Sequence, residues 1–213
     1  PYRFNLSRIP RFIHEKSDWL VKNIKQSQSS PKKIKHGDCI KVLGYDHEIK
    51  IFPVTATATN KAKARSSKKE KVKLAKSYRT ENGKAVFNGY EIQIFTNSNE
   101  NLTNLLEDFF KKRAKKYFTE RADYWSEKMQ LNYNRLTLRS QKTRWGSCSR
   151  NGNINFNWRL ILTTKPILDS VIIHELAHIK HLNHGKQFYT LLETFCPDHK
   201  LLTKQLAKWK FPF

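Results

Sequence analysis

Residues 174–178 read His-Glu-Leu-Ala-His, and the stretch around them, Ile167 to Leu182, repeats its apolar residues at helical spacing. Two histidines four apart on a helix lie on one face, about a turn from each other, and can aim imidazole nitrogens at a single ion. Neutral imidazole is a preferred zinc ligand, and a catalytic zinc takes three protein ligands and keeps a fourth position for water. Glu175 projects about 100° round the helix from His174, where a carboxylate serves that water as general base rather than joining the ligands. The surrounding residues suit a helix. Thr164 is the N-cap candidate, Pro166 sits in the first turn, Asp169 brings negative charge to the positive end, and Leu168, Val171, Ile172, Leu176 and Ile179 make a core stripe.

A third ligand has to come from nearby chain. If the helix continued, His181 would share the face of His174 and His178 but stand about 10 Å up the axis from His174, too far for one ion to touch both. His184 follows Asn183, which tolerates the left-handed conformation that ends helices, and precedes Gly185, so the chain can turn and bring it back under the metal. Glu193, on the next helical stretch, is the fallback. Ligand type and reach favour His184 over His181 and Glu193. The interval from His178 to His184 equals that of metzincins, but His181 stands where their motif has its turn glycine, which argues against that group.

Several runs together resemble the YgjP-like family of small zinc-dependent metallohydrolases, usually described as metallopeptidases with a zincin-like core. They are Arg144-Trp145-Gly146-Ser147-Cys148, Gly152 to Leu160, His174 to His178, Asn183-His184 and Phe195-Cys196-Pro197-Asp198. The close likeness covers about Arg135 to Lys208, with a weaker one over Pro10 to Lys25 and Gly37 to Phe52. The resemblance implies His174, His178 and His184 as ligands of Zn2+, Glu175 as catalytic base, and a peptide or unfolded protein as substrate. Gly185 departs from the serine expected there. The opening at Pro1, lacking the leading β-hairpin and Met of family members, suggests a trimmed chain.

The remaining pattern predicts an α+β chain: a zincin-like catalytic core of small β-sheet and metal-binding helix, preceded by an α/β N-terminal region and a long amphipathic helix. Ile9 to Ile24 reads as a helix, Asp38 to Phe52 as a hairpin turning near Gly44-Tyr45-Asp46, and Val86 to Phe95 as a strand with Asn88-Gly89 a bulge or turn within it. From Asn101 to Met129, Leu102, Leu105, Leu106, Phe109, Phe110, Tyr117, Phe118, Trp125 and Met129 recur at helical spacing. Arg135 to Ser140, Thr143 to Cys148 and Asn153 to Leu160 carry β-formers around turn signals. The expected division is an N-terminal region, 1–98, with a Lys-rich arm at about 55–80, and a catalytic core, 99–213.

Charge bounds the partners. Lys and Arg number 41 against 18 acidic residues, a formal +23. The excess is concentrated, with nine basic residues and one acidic from Lys61 to Thr80, and five basic positions of six from Lys111 to Lys116. Such clustering suits a nucleic acid or other polyanion, or else a solvated lysine-rich surface, and no recognised nucleic-acid module accompanies it. No stretch approaches the ~20 apolar residues of a membrane span. Three cysteines, Cys39, Cys148 and Cys196, fit a reducing, cytoplasmic setting better than a disulfide framework. Arg144, His181 and Tyr189 are the candidates to contact substrate or a developing oxyanion. Two alternatives to peptide hydrolysis stand beside it. One is a zinc-dependent nucleoside triphosphate hydrolase, which lacks here a phosphate-binding G-x-x-x-x-G-K-[ST] loop; the other is a nucleic-acid-associated protease or binding protein.

Overall fold

A computed structural model describes residues 34–54, 77–80, 83–97, 102–141 and 143–211. The helix expected at Ile9 to Ile24 and most of the Lys-rich arm lie outside the described residues. Strands β1 (Cys39–Val42) and β2 (Tyr45–Phe52) form the expected hairpin, with Ile40, Val42, His47 and Ile49 turned inward between exposed neighbours. Leu43 and Gly44 make its turn at φ 54° and 94°, the positive pair that matches the twist of a tight hairpin.

The stretch Val86 to Phe95, expected as one strand, is parts of two. β4 (Gly83–Phe87) and β5 (Glu91–Phe95) pair antiparallel across a turn. The Asn88 side chain causes the reversal, because its Oδ1 accepts from the backbone N–H groups of Tyr90 and Glu91, both at 3.0 Å. β3 (Ser77–Thr80) adds to β4, and β2 pairs with β5 in parallel, so two antiparallel pieces join into one sheet of order β1-β2-β5-β4-β3.

Helix α1 (Leu102–Met129) buries the expected leucines and phenylalanines, but Tyr117 and Trp125 are only half-buried, and Arg113 is buried. The Arg113 guanidinium lies 3.8 Å from the centre of the Phe87 ring where α1 meets β4. Its Nε and Nη1 have no hydrogen-bond partner among the described residues, and burial lowers its pKa to about 10. The basic run 111–116 is therefore split, one cation inward and the lysines outward.

The second sheet has order β6-β8-β7, from β6 (Arg135–Arg139), β7 (Gly146–Cys148) and β8 (Asn153–Asn157). β6 runs parallel to β8 and β7 antiparallel. β8 stops short of the expected Leu160. Asn157 ends it, its Oδ1 accepting from Arg159 N at 3.1 Å and its Nδ2 donating to Gln141 O at 2.6 Å, and Trp158–Leu162 winds into a 3-10 turn. That turn buries Trp158 parallel to Phe110, ring centres 6.5 Å apart.

Helix α2 (Lys165–Lys180) follows, then α3 (Lys186–Phe195) and α4 (His199–Lys208). α2 packs against α1, β7, α3 and α4. Thr164 caps it without a side-chain hydrogen bond. Asp169 does more than complement the helix dipole: its two oxygens accept from Arg121 Nε (2.8 Å) and Nη2 (2.7 Å), a forked pair that fastens α2 to α1. The tip of the first hairpin also docks here, Leu43 N donating to Ile161 O at 2.9 Å and Leu43 bridging Thr164. Among the described residues no helix is long and apolar enough to cross a membrane.

Both partners of the Arg121–Asp169 pair are mostly shielded, with side chains 16% and 13% exposed. Asp169→Asn is expected to leave the guanidinium under-paired and lower stability by about 2–4 kcal/mol, read from urea unfolding. An unchanged midpoint would mean that apolar packing alone holds α1 on α2.

Candidate metal centre

α2 is apolar over most of its surface, with Leu168, Ile172, Ile173, Leu176 and Ala177 buried, and beyond the exposed Lys165 and Pro166 at its start only its last two turns reach the surface. His174 and His178 stand there half-buried, on the same face. The helix ends at Lys180, and His181 caps it in extended conformation, φ −129° and ψ 99°. No left-handed residue is needed. Asn183, expected to supply one, does not take a positive φ; instead its carbonyl accepts from Gly185 N at 2.8 Å, and the chain turns into α3.

This turn carries His184 back onto the end of α2. His174 Nε2 lies 3.2 Å from His178 Nε2 and 3.1 Å from His184 Nε2. Phe188 backs the group, wholly buried, with its ring centre 5.0, 4.6 and 4.7 Å from those of His174, His178 and His184. Phe188 follows His184 by four residues, and its role was legible only as an apolar position on the first turn of α3.

The ring protonation follows from the partners. His178 Nδ1 is 3.1 Å from the His181 carbonyl, which can only accept, so Nδ1 carries the hydrogen and Nε2 turns its lone pair to the cluster. Burial, helped by the neighbouring histidines, lowers the His174 pKa to about 4, and burial lowers that of His178. Unprotonated imidazole nitrogens crowded this closely repel one another unless a cation lies between them. Their separations also match the ~3.3 Å edge of a tetrahedron with Zn–N bonds of ~2.05 Å. The donor set fits a zinc-sized cation.

Glu175, the residue after His174, is buried, 6% exposed, and burial raises its pKa from 4.5 to about 8. One wall is main chain. A Cβ on Gly146 of β7 would lie 2.5 Å from Glu175 Oε1 and 2.7 Å from its Cγ, so nothing larger than hydrogen fits there. A glycine inside a strand pattern was the available sequence signal for this approach. Cys148, further along β7, feels the same surroundings, its thiol pushed up to about 11 by burial and by the charge of Glu175.

The other sequence candidates fall elsewhere or at the rim. His181 contributes its carbonyl to His178 and stays outside the imidazole cluster. Glu193, exposed, accepts from Lys200 Nζ at 3.2 Å and lies 3.4 Å from His199 Nε2, away from the three rings. Tyr189 stands at the rim, 41% exposed, its ring between those of His184 (6.2 Å) and His199 (5.9 Å). The Arg144 side chain is exposed, and its carbonyl accepts from Asn157 Nδ2 at 3.4 Å.

Comparison with known proteins puts this chain in a class, the metal-dependent hydrolases, since the domain that it matches is a metallopeptidase domain. Within that class the chain belongs to the YgjP-like family, matching over residues 1–208. No curated protein matches it. Two solved structures are similar in part. The metallopeptidase zymogen of Pyrococcus abyssi abylysin shares 18% identity over 42% of this chain and 90% of its own, with a TM-score of 0.39. That of Methanocaldococcus jannaschii jannalysin shares 21% identity over 42% of this chain and 96% of its own, with a TM-score of 0.38.

Two outcomes follow from the pocket around Glu175. Gly146→Ala is expected to force Glu175 from its position and cost about 1–3 kcal/mol in unfolding free energy; a wild-type value would show that the strand yields freely. The raised Glu175 pKa means that the folded, metal-free protein holds a proton there that the unfolded chain releases from pH 4.5 upward. This stabilisation is whole below 4.5 and is lost as the pH rises through about 8. Metal-free Glu175→Gln should therefore melt increasingly above wild type from about pH 5 to about pH 9. The opposite dependence of His174, depressed from 6.5 to about 4, is common to both proteins and cancels. A constant gap would remove the buried carboxyl from the account.

Proposed function

We propose that this protein is a zinc-dependent metallopeptidase whose metal is held by His174, His178 and His184, with Glu175 as general base. The observation that carries the reading is the meeting of three imidazole nitrogens, 3.1 and 3.2 Å apart where measured from His174, with a buried carboxyl group on the residue that follows His174. A zinc ion in such a set lowers the pKa of water and polarises a carbonyl. Glu175 takes the proton from the attacking water and delivers it to the leaving amine nitrogen, and a pKa raised by burial suits a group that must both accept and donate near neutrality. The Gly146 backbone keeps that carboxylate from swinging away.

β7 pairs only with β8, and its other edge is open among the described residues, so an extended peptide can add there by main-chain hydrogen bonds. Unfolded or extended protein segments are the substrate class for such an edge. Tyr189, at the rim next to His184, is the group favoured to donate to the developing oxyanion, ahead of Arg144 and His181. The catalytic part under this reading is 99–213, with 1–98 accessory to it.

Zinc-loaded protein offered an unfolded polypeptide should generate new termini, and Glu175→Gln should lower that rate by about 10²–10⁴-fold while still binding zinc. His184→Ala should instead weaken zinc binding by at least ~100-fold in a competitive chelator titration, since even outer partners of a ligand are worth 10–100-fold. Phosphate or pyrophosphate released from a nucleoside triphosphate, with no peptide cleaved, would replace this reading with phosphoanhydride hydrolysis. A zinc-free protein that takes up no metal would end it.

A further inference from the structure

The outward lysines of α1 do not lie on a flat solvated face. With the end of β6 they line an open hollow of about 300 Å³, in which Lys111, Lys112, Lys115 and Arg139 stand round Leu138 and Ser140, with the edge of Trp158 beneath. No carboxylate lines it. The cleft belongs to the β6 edge of the three-stranded sheet, the edge opposite β7, and is separate from the three histidines.

Two of these cations are preset. Lys115 Nζ donates to the Leu136 carbonyl on β6, and Lys111 is held by Glu107 at 3.2 Å, with its Nζ 5.9 Å from the centre of the Trp158 ring. Lys115 and Arg139 form no ion pair with a carboxylate among the described residues. Lys111 is compensated by Glu107 and by Asp108 at 3.4 Å, so Lys115 and Arg139 leave like charge facing one concavity, and an anion entering it relieves their repulsion.

We infer that this cleft binds the sugar-phosphate backbone of a single-stranded nucleic acid. A single strand can lower a phosphate and its sugar into the concavity, whereas a duplex holds its phosphates on a convex ridge and meets only the rim. A carboxylate-rich peptide is the weaker match, since beneath the charged ends the lining is mostly apolar, from Leu138 and the methylene stems of the lysines with Ser140 the one hydroxyl, and a sugar has apolar edges to lay against it. Base identity should matter little. Trp158 is 1% exposed, its ring covered by Phe110, Lys111 and Arg159, so it presents no face on which a base can stack.

The test is fluorescence anisotropy of a labelled thymidine oligonucleotide with the full chain across a salt series. Arg139→Gln with Lys112→Gln removes two cleft cations from exposed positions. Because each phosphate contact on a single strand contributes about 0.7 to the log–log salt slope, the pair should flatten the slope by about 1.4 and weaken binding roughly 25-fold at about 0.1 M salt. Lys128→Gln with Lys204→Gln, charge-matched and away from the cleft, should leave both quantities as in wild type. Melting temperatures check that each pair folds, and Arg139→Gln alone, with half the slope change, replaces the double variant if that one does not. An adenine oligonucleotide should bind like the thymidine one. The inference is overturned if wild type fails to bind at low salt, if the cleft pair binds as wild type does, or if the control pair weakens binding equally. Tighter binding of a duplex, or displacement of the strand by oligoglutamate at equal charge, overturns it as well, the last in favour of an acidic protein segment.

Discussion

Helix α2 is confined on several sides at once, and its confinement sets where chemistry can occur. α1 grips it through the forked Arg121–Asp169 pair, and β7, α3 and α4 pack on it as well. A helix so enclosed cannot rotate to expose or bury its histidines, so the half-buried stations of His174 and His178 are consequences of packing rather than of the histidines themselves. The hairpin tip at Leu43 adds a hold at the helix start, linking the five-stranded sheet to the same element.

The two long helices were legible because periodicity over many residues leaves few alternatives, and the meeting of His174, His178 and His184 was legible because their chemistry and reach favour it. The manner of the turn was not. Asn183 and Gly185 suggested a left-handed stop, but the His181 carbonyl is taken by the His178 ring, and this side-chain bond ends the helix without one. Strand ends were misjudged for a related reason: Asn88 and Asn157 bond to nearby backbone and end or reverse a strand that propensity alone would continue.

Tertiary context also overrode the expected faces of α1. Tyr117 and Trp125 fit the apolar stripe by spacing, yet Arg113 is the residue buried against Phe87, because the five-stranded sheet covers a different arc of the helix from the one that α2 covers. A pattern of apolar residues cannot show that two partners approach a helix from separate directions. Nor can it separate the lysines that merely face water from those that gather with Arg139 round a hollow.

Gly146 gives the site an unusual kind of insulation. On the β7 side the Glu175 carboxyl group meets the Gly146 main chain rather than a side chain, so ordinary substitution at that position cannot reshape the contact by small degrees. On that side, adjustment of this acid has to come from movement of the strand, and β7 is tied to β8. Variation among descendants of such a protein is thereby steered outward, to the exposed rim around His184 and Tyr189, where side chains can change without disturbing the proton-carrying group.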